Sequence, residues 1–308
     1  MYITALINRQ KYTISGRVNK ALLRKEGKEM RKFIGVFALL ITAVLYIGGY
    51  KEASAVGNTS IAITKENFPN KRLRKIIVED CDRNKDYVLS REEIQKAEKI
   101  SIGLDEEMED YDLKGLSILS ELKKVEIEAF EVENVRELEK LPHLQYLRIM
   151  TLDSCPVTTD KNPELEKLDL NVSIKRLDLS KNKKLKSLKL ENSEVKKLSI
   201  CNLPKLKYVR LANNMTKSVV IKNCPKLRTL RGNGNKKITK LDLRPLKKLC
   251  NFEWKYGILR RIQFGKKKYL RLVNVKHNKL KKLDIRKMRR LSRKHVYVNG
   301  NPNIKILK

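Results

Sequence analysis

Apolar residues recur along this chain in units of about 21 residues. Each unit opens on a leucine, is apolar again at its fourth and sixth places, and often carries asparagine near its ninth place. The opening residues, spaced 20 to 22 apart, are Leu122, Leu144, Leu165, Leu185, Leu206, Leu227, Leu249, Leu270 and Leu291. A constant period of this size predicts a solenoid, in which stacked units bury one continuous core.

Two units match the leucine-rich-repeat consensus L-x-x-L-x-L-x-x-N in register: Leu206, Val209, Leu211 and Asn214, and Leu270, Val273, Val275 and Asn278. The chain therefore resembles a leucine-rich-repeat protein over residues 113–308. The resemblance implies an α/β solenoid with a parallel β-sheet on one face. It also implies a protein that binds a partner and is not an enzyme, because most leucine-rich repeats bind.

The segment between residues 56 and 112 has a different pattern. Phe68, Leu73 and Ile77 recur at helical spacing, and a polar loop at residues 82–93 follows. The loop resembles an EF-hand, which implies Ca²⁺ ligands at Asp82, Asn84, Asp86, the carbonyl of Val88, Ser90 through water, and Glu93. In secreted bacterial proteins such a segment resembles an N-terminal cap, and a solenoid needs one to cover its first unit.

One residue of the loop departs from the EF-hand pattern. Tyr87 occupies the sixth place, where glycine is usual because the backbone turns there with positive φ. The alternative is therefore a helix–loop–helix segment that keeps its shape without an ion.

Residues 30–55 have the organisation of a secretory signal peptide. A basic pair, Arg31 and Lys32, precedes an apolar run from Phe33 to Ile47, and Ala53-Ser54-Ala55 is a cleavage signal. The run is shorter than the roughly 20 residues of a spanning helix, although an uncleaved anchor remains the alternative. Residues 1–29 are interpreted as an extension before the true start. We expect a secreted or cell-surface protein with no stable membrane span after cleavage.

Charge is distributed unevenly along the chain, whose formal net charge is +35. Residues 56–164 contain 17 basic and 24 acidic residues, whereas residues 165–308 contain 43 and 8. The excess of positive charge therefore belongs to the repeats, and it points to an anionic partner.

Catalytic motifs and zinc-binding motifs are absent from the sequence. There is no G-x-S-x-G, no H-E-x-x-H and no glycine-rich phosphate loop, and His277 is interpreted as a turn residue. The five cysteines include no C-x-x-C pair, which indicates neither a zinc site nor a disulfide framework. We interpret Cys201, Cys224 and Cys250 as small packing residues.

Alternate residues of a strand face opposite sides, so the third, fifth and seventh places of each unit face solvent. Read across units, these places bring Lys189, Arg210 and Arg231 beside Tyr208. The sequence therefore predicts a ligand site on this face of the sheet.

A second column of charge precedes the opening leucines and contains Lys184, Lys205, Lys226, Lys248 and Arg290. Unit charges about 4 Å apart repel by roughly 1 kcal/mol even in water, so anions would stabilise this column. The predicted ligand is a linear polyanion, such as wall teichoic acid, an anionic lipid surface or a sulfated glycan. The alternative is that lysine only keeps strand edges soluble.

Nucleic acid is disfavoured as the polyanion, because aromatic residues for base stacking make up only 6% of the chain. A signal peptide also argues against an intracellular target. Overall we expect a secreted or surface-associated binding protein whose ligand is a protein or an anionic cell-wall or glycan polymer. The alternative is a structural cell-wall scaffold that is retained by charge and has no specific ligand.

Overall fold

The structure of this protein is a computed structural model, and it describes residues 60–103 and 109–308. The predicted N-terminal extension and signal peptide, residues 1–55, lie outside the described residues. Among the described helices, none is both long and apolar enough to cross a membrane.

Two short helices flank the acidic loop near the N-terminal end of the described chain. Helix α1 (Lys71–Asp80) begins at Asn70, whose side chain accepts hydrogen bonds from the amides of its first turn. Helix α2 (Arg91–Lys96) begins with a reciprocal capping box between Ser90 and Glu93. Strand β1 (Ile61–Ala62) pairs antiparallel with β2 (Val88–Leu89) in the loop. Apolar residues of this segment share one core with the first strands of the repeats.

A parallel sheet runs through all the repeats. Its ten strands in the described chain are β3 (Lys99–Ile102), β5 (Lys124–Ala129), β7 (Tyr146–Ser154), β8 (Lys167–Ser173), β9 (Ser187–Glu191), β11 (Tyr208–Ala212), β13 (Thr229–Asn233), β15 (Asn251–Lys255), β17 (Leu272–Asn274) and β19 (Val296–Tyr297). Each strand pairs with the strands of the units before and after it. The predicted parallel sheet is confirmed.

The return half of most units contains short strands instead of the helices that an α/β solenoid implies. Four parallel pairs form there: β4 (Tyr111–Asp112) with β6 (Val132–Glu133), β10 (Lys197–Cys201) with β12 (Ser218–Lys222), β14 (Lys240–Asp242) with β16 (Arg261–Gln263), and β18 (Lys282–Asp284) with β20 (Lys305–Leu307). Three 3₁₀ turns, at Leu116–Ile118, Val135–Lys140 and Arg293–His295, complete the regular structure of residues 109–308. The chain rises about 3.3 Å per residue in a strand but only about 1.5 Å per residue in a helix. A short return segment therefore reaches across the unit only if it is extended.

The register of the strands places the apolar columns in the core. Leu188 and Leu190 on β9 align with Val209 and Leu211 on β11, and all four are almost completely buried. Residues between them, such as Lys189, point outward and are partly exposed. The predicted alternation is therefore confirmed, and burial of the leucine columns supplies the main driving force for folding.

Buried asparagines join consecutive units at the ninth place. The side-chain amide of Asn214 donates to the carbonyl of Leu190 at 2.8 Å, and its oxygen accepts from the amide of Ser193 at 2.9 Å. Equivalent bonds to the preceding strand are made by Asn235, Asn278 and Asn301. Each asparagine thus satisfies backbone groups of the neighbouring unit that would otherwise be buried without partners.

The eighth place of the repeat has a left-handed backbone. Its occupants are Asn192, Asn213, Gly234, Tyr256 and His277, with φ between 53° and 67°, and Gly300, two places later in the longer last unit, has a φ of 76°. Asparagine and glycine adopt this conformation at least cost, which explains their frequency here. The interpretation of His277 as a turn residue is confirmed by its φ of 53°.

Candidate binding surfaces

Four residues of the predicted ligand site lie side by side on the main sheet. Arg210 on β11 pairs in register with Lys189 on β9 and with Arg231 on β13. Tyr208 lies two residues before Arg210 on the same strand, so it points to the same side. We call the outward residues of the third, fifth and seventh places the sheet face.

The cations at the centre of the sheet face are paired with carboxylates of neighbouring units. Lys189 Nζ lies 2.5 Å from Asp169 Oδ2, and Arg210 Nε lies 2.5 Å from Glu191 Oε1. The hydrogen bond to Asp169 raises the pKa of Lys189, and the one to Glu191 raises the pKa of Arg210. Both cations are therefore held in place by an acid.

Two more arginines of the sheet face are paired in the same way. Arg231 Nε lies 2.8 Å from Glu253 Oε1, although the N–H does not point at that oxygen. Arg148 lies 3.5 Å from Glu128. The predicted ligand site at Lys189, Tyr208, Arg210 and Arg231 therefore lies on a face that is a mosaic of opposite charges.

The mosaic surrounds a shallow depression of about 460 Å³. Its lining residues are Tyr146, Arg148, Met150, Asp169, Asn171, Lys189, Glu191, Tyr208 and Arg210. The Tyr146 ring lies between the ammonium groups of Lys124 and Lys167, which are 5.2 and 5.9 Å from its centroid. Aromatic rings, donors and acceptors are thus available together on a rigid sheet.

The lysine column before the opening leucines is only partly paired. Lys184 Nζ lies 2.5 Å from Glu164 Oε2. Lys205, Lys226 and Lys248 are exposed, and no described carboxylate forms an ion pair with them. We call these three residues the free lysine column. The predicted ladder of unpaired charge therefore exists in the later units but not at Lys184.

Acidic residues are scarce around the free lysine column. Residues 195–308 contain 35 basic residues and three acidic ones. Each of the three acids already has an arginine partner: Asp242 with Arg244, Glu253 with Arg231, and Asp284 with Arg286. Apart from Arg210, which pairs with Glu191 of the preceding unit, the other described cations of this half form no ion pair with a carboxylate. Arg290, the last basic residue of the predicted column, lies 5.8 Å from the centroid of the Tyr269 ring.

Solved structures provide the comparison with known proteins. Internalin C2 from Listeria monocytogenes is similar, with a TM-score of 0.51 and 17% identity over 67% of this chain and 91% of that one. The fold is a leucine-rich-repeat solenoid. Two further similar structures from the same organism are internalin F (TM-score 0.48, 17% identity, 82% of this chain and 92% of that one) and the functional domain of InlJ (0.45, 15%, 82% and 65%). No protein-family model matches the sequence, and no curated protein does.

Sequence reasoning missed a groove at the turn edge of the leucine-rich repeats. Pro204, Pro225 and Pro245 line it beside Lys247 and Lys248, and its volume is about 820 Å³. The sequence does contain a repeated proline that indicates this groove, because Pro204 and Pro225 each lie two residues before an opening leucine. The groove places apolar proline rings next to Lys248 of the free lysine column.

Aromatic side chains on the last units were also missed. Tyr256 stacks on His277, with ring centroids 4.9 Å apart and planes 9° apart. Lys276 Nζ lies 5.3 Å from the centroid of the Tyr297 ring. Tyr256 and His277 occupy consecutive eighth places, so the repeat itself brings them together.

The acidic loop turns at Tyr87 with the positive φ for which glycine is usual. Tyr87 adopts a φ of 63°, and its side chain extends into solvent. Its amide donates to Asp82 Oδ2 at 2.9 Å, while Asp82 Oδ1 is buried without a hydrogen-bond partner among the described residues. A buried unpaired carboxylate oxygen is costly, and it suits a cation.

The other predicted calcium ligands make hydrogen bonds within the loop. Glu93 accepts from the amides of Arg83 and Ser90 at 2.7 and 2.9 Å, and Asp86 accepts from the amide of Val88 at 2.8 Å. Burial raises the pKa of Glu93, but hydrogen bonds from Ser90 and the backbone outweigh it and lower that pKa overall. No three acidic, histidine or cysteine side chains converge anywhere in the described chain. Calcium would have to replace some of these bonds.

Thiol burial separates the cysteines into two groups. Cys81, Cys155 and Cys224 are buried, and burial raises the pKa of Cys81 to about 12 and that of Cys155 to about 11. These two thiols are therefore unreactive at neutral pH. Cys201 and Cys250 are only half-buried, so the packing interpretation fits Cys224 alone among the three repeat cysteines.

Proposed function

We propose that this protein is a secreted or surface-associated leucine-rich-repeat binding protein that holds a protein ligand on its sheet face. The observation that carries the proposal is the mosaic of paired charges around the depression between Tyr146 and Tyr208. A polyanion would have to displace Asp169 and Glu191 from their cations. A protein surface can match both signs of charge, and tyrosine and arginine are enriched in such interfaces.

The comparisons are consistent with binding, since the similar internalins are leucine-rich-repeat proteins of the same architecture. Secretion is part of the proposal and rests on residues 30–55. N-terminal sequencing of the exported protein is expected to begin near Val56. A chain that keeps residues 30–55 would instead be anchored.

Charge reversal at the centre of the sheet face should weaken ligand binding. Arg210→Glu places a carboxylate beside Glu191, and we expect a loss of about 2 kcal/mol, or roughly 30-fold in Kd. The ligand is first identified by a photoreactive residue at position 208, and its Kd is then measured by calorimetry. Tyr208→Ala should have a similar effect.

Lys217→Glu supplies the matched control for Arg210→Glu. Lys217 is exposed and precedes β12 on the opposite edge of the repeat, so it changes the net charge equally without touching the sheet face. Equal losses for both variants would contradict a ligand site on the sheet face. They would favour retention by charge alone.

A second function, electrostatic attraction to an anionic polymer, is supported by the free lysine column. Replacing Lys205, Lys226 and Lys248 with glutamine should reduce the salt dependence of heparin binding. The slope of log K against log salt is expected to fall by about two to three. Affinity is measured across a series of sodium chloride concentrations.

The control for the lysine column removes three other exposed charges, those of Lys217, Lys222 and Lys240, from the opposite edge. If both triple variants lose the same affinity, only the number of lysines matters, and the scaffold interpretation is favoured. A loss confined to the column variant supports an aligned polymer site.

We propose further that the loop at residues 82–93 binds Ca²⁺ through Asp82, Asn84, Asp86, the carbonyl of Val88, Ser90 and Glu93. The unpaired Asp82 Oδ1 supports this proposal. Calcium at 100 times its Kd should stabilise the chain by about 2.7 kcal/mol, measured as a shift in urea midpoint. Asp82→Asn, which keeps the side-chain shape, should abolish the shift. Absence of any heat of binding at millimolar calcium would refute the site.

A further inference from the structure

Two basic columns of the repeats are interrupted at neighbouring positions. The second place of successive units carries Lys186, Lys207, Arg228, Cys250 and Arg271. Cys250 is the small residue in this series. In the column before the opening leucines, Tyr269 follows Lys248 and precedes Arg290. The two interruptions belong to consecutive units.

Both interruptions line one notch of about 340 Å³ at the start of the strands. Its lining residues are Arg228, Thr229, Cys250, Asn251, Tyr269 and Arg271. Strands lie about 4.8 Å apart, so the backbones of Arg228 and Arg271 are about 10 Å apart. The small side chain of Cys250 lies between them and leaves the space that a lysine would fill.

The backbone around the notch is held by the sheet. The amide of Cys250 donates to the carbonyl of Arg228 at 2.8 Å, and the amide of Arg271 donates to the carbonyl of Cys250 at 2.8 Å. Thr229 and Asn251 pair in register on β13 and β15. The backbone from which both arginines project is therefore already ordered, so no loop has to be ordered when a ligand binds.

The notch is positively charged and has no carboxylate of its own. All three acids of residues 195–308 are held by Arg231, Arg244 and Arg286. No described acid forms an ion pair with Arg228 or Arg271. Lys268 and Arg290 add two more cations, each 5.8 Å from the centroid of the Tyr269 ring.

We propose that this notch binds one tetrahedral oxyanion, the phosphate or sulfate group of a monoester. Guanidinium groups bind such oxyanions through two parallel hydrogen bonds, and Arg228 and Arg271 line the notch on either side of Cys250. The hydroxyl groups of Thr229 and Tyr269 and the amide of Asn251 supply further donors. The site goes beyond the proposed protein ligand, since none of its residues lines the depression on the sheet face.

Cys250 provides a reporter inside the notch. Its thiol is half-buried and contacts the carbonyl of Lys248 at 3.3 Å, so a bound oxyanion would shield it. Cys201 is the other half-buried thiol, and it lies at the end of β10 on the opposite edge. The three remaining thiols are buried. Labelling of Cys250 and Cys201 can therefore be compared within one molecule.

The test measures the rate at which a neutral reagent, iodoacetamide, labels each cysteine of the folded chain. Inorganic phosphate and inorganic sulfate are titrated in separate arms, with sodium chloride keeping the ionic strength constant. Peptide mapping by mass spectrometry gives the rates. We expect saturable slowing at Cys250 and none at Cys201. Protection by phosphate alone would identify the ligand group as a phosphate ester, and protection by sulfate alone would identify it as a sulfate ester.

Variants of the two arginines assign the protection to the notch. Arg228→Gln and Arg271→Gln should each raise the half-protecting anion concentration about tenfold, through loss of a charge-assisted hydrogen bond. Lys222→Gln removes one charge beside Cys201, and it should leave protection unchanged. Circular dichroism checks that each variant is folded. Equal protection of both thiols, or protection that survives loss of either arginine, would overturn the proposal.

Discussion

Gly232→Leu is expected to destabilise the protein by about 3 kcal/mol, and adding Trp254→Leu should recover about 1 kcal/mol of that loss instead of adding its own. Gly232 and Trp254 occupy the sixth places of adjacent strands and pair in register. A Cβ atom built on Gly232 would lie 2.4 Å from the Trp254 ring. The glycine therefore provides the space that the indole fills.

The single Trp254→Leu variant should lose about 2 kcal/mol, because removing a completely buried ring leaves a cavity. The loss is moderated, since the indole N–H is buried without a partner and leucine has no such group. With leucine at both positions the column resembles that of Leu190 and Leu211. The two changes should then cost about 2 kcal/mol together, a coupling of about 3 kcal/mol.

Urea denaturation of all four proteins measures this cycle, with equal m-values required before the free energies are compared. Gly234→Ala is a useful contrast. It also adds a Cβ, but its positive φ and a contact with Asn213 would cause the loss, so Trp254→Leu should not rescue it. Additive losses at Gly232 and Trp254 would contradict the packing argument.

Lys267→Met should stabilise the protein at pH 7 by about 2 to 3 kcal/mol. Lys267 lies three residues before an opening leucine, where other units carry Leu203, Leu246 and Met288. The lysine is completely buried, and Nζ donates to the carbonyl of Phe264 at 2.5 Å. Burial, assisted by the charge of Lys247, lowers the pKa of Lys267 to about 8.

The sign of the pH dependence follows from this lowered pKa. Below pH 8 both the folded and the unfolded chain bind the proton, and the folded state carries the full cost of the buried charge. Between about pH 8 and 10.5 only the unfolded chain stays protonated, so the free energy of unfolding rises with pH. The urea midpoint should rise over this range in the native protein and not in Lys267→Met.

Lys266→Met is the control for the buried lysine, because Lys266 is exposed. It should change neither the free energy of unfolding at pH 7 nor the slope with pH. A native protein whose stability stays flat from pH 8 to 10.5 would show that Lys267 is solvated.

The alternation of the strands could be predicted because the units are nearly equal in length, at 20 to 22 residues. Leu188, Leu190 and their equivalents recur at fixed places, and a parallel sheet is the arrangement that buries all of them. The return strands were less predictable. Their apolar residues, such as Leu198 and Ile200 on β10, are mixed with lysines, and the family resemblance implied helices instead.

The charge of the sheet face could not be read from single columns. Arg210 is paired with Glu191, which belongs to the seventh place of the preceding unit and not to the fifth. Such diagonal pairs depend on side-chain length and rotamer, and a list of the residues at one place of the repeat does not show them. The roles of Gly232 and Lys267 could not be predicted for a similar reason. Gly232 is required by the Trp254 ring of the next unit, and the cost of Lys267 depends on how deeply its side chain is buried.

The asparagine bonds between units also determine how this protein can change in length. Asn214, Asn235 and Asn278 each reach back to the strand of the preceding unit, so each bond spans one full period. Insertion of a single residue between an asparagine and its carbonyl would disturb that bond alone, and a turn can absorb extra residues, since Asn301 still reaches Val275 across 26 positions where Asn214 reaches Leu190 across 24. Insertion or deletion of one complete unit would preserve every bond. Gain or loss of a whole unit is therefore the change in length that disturbs these bonds least, and it would change the separation between the charged surfaces by one strand spacing.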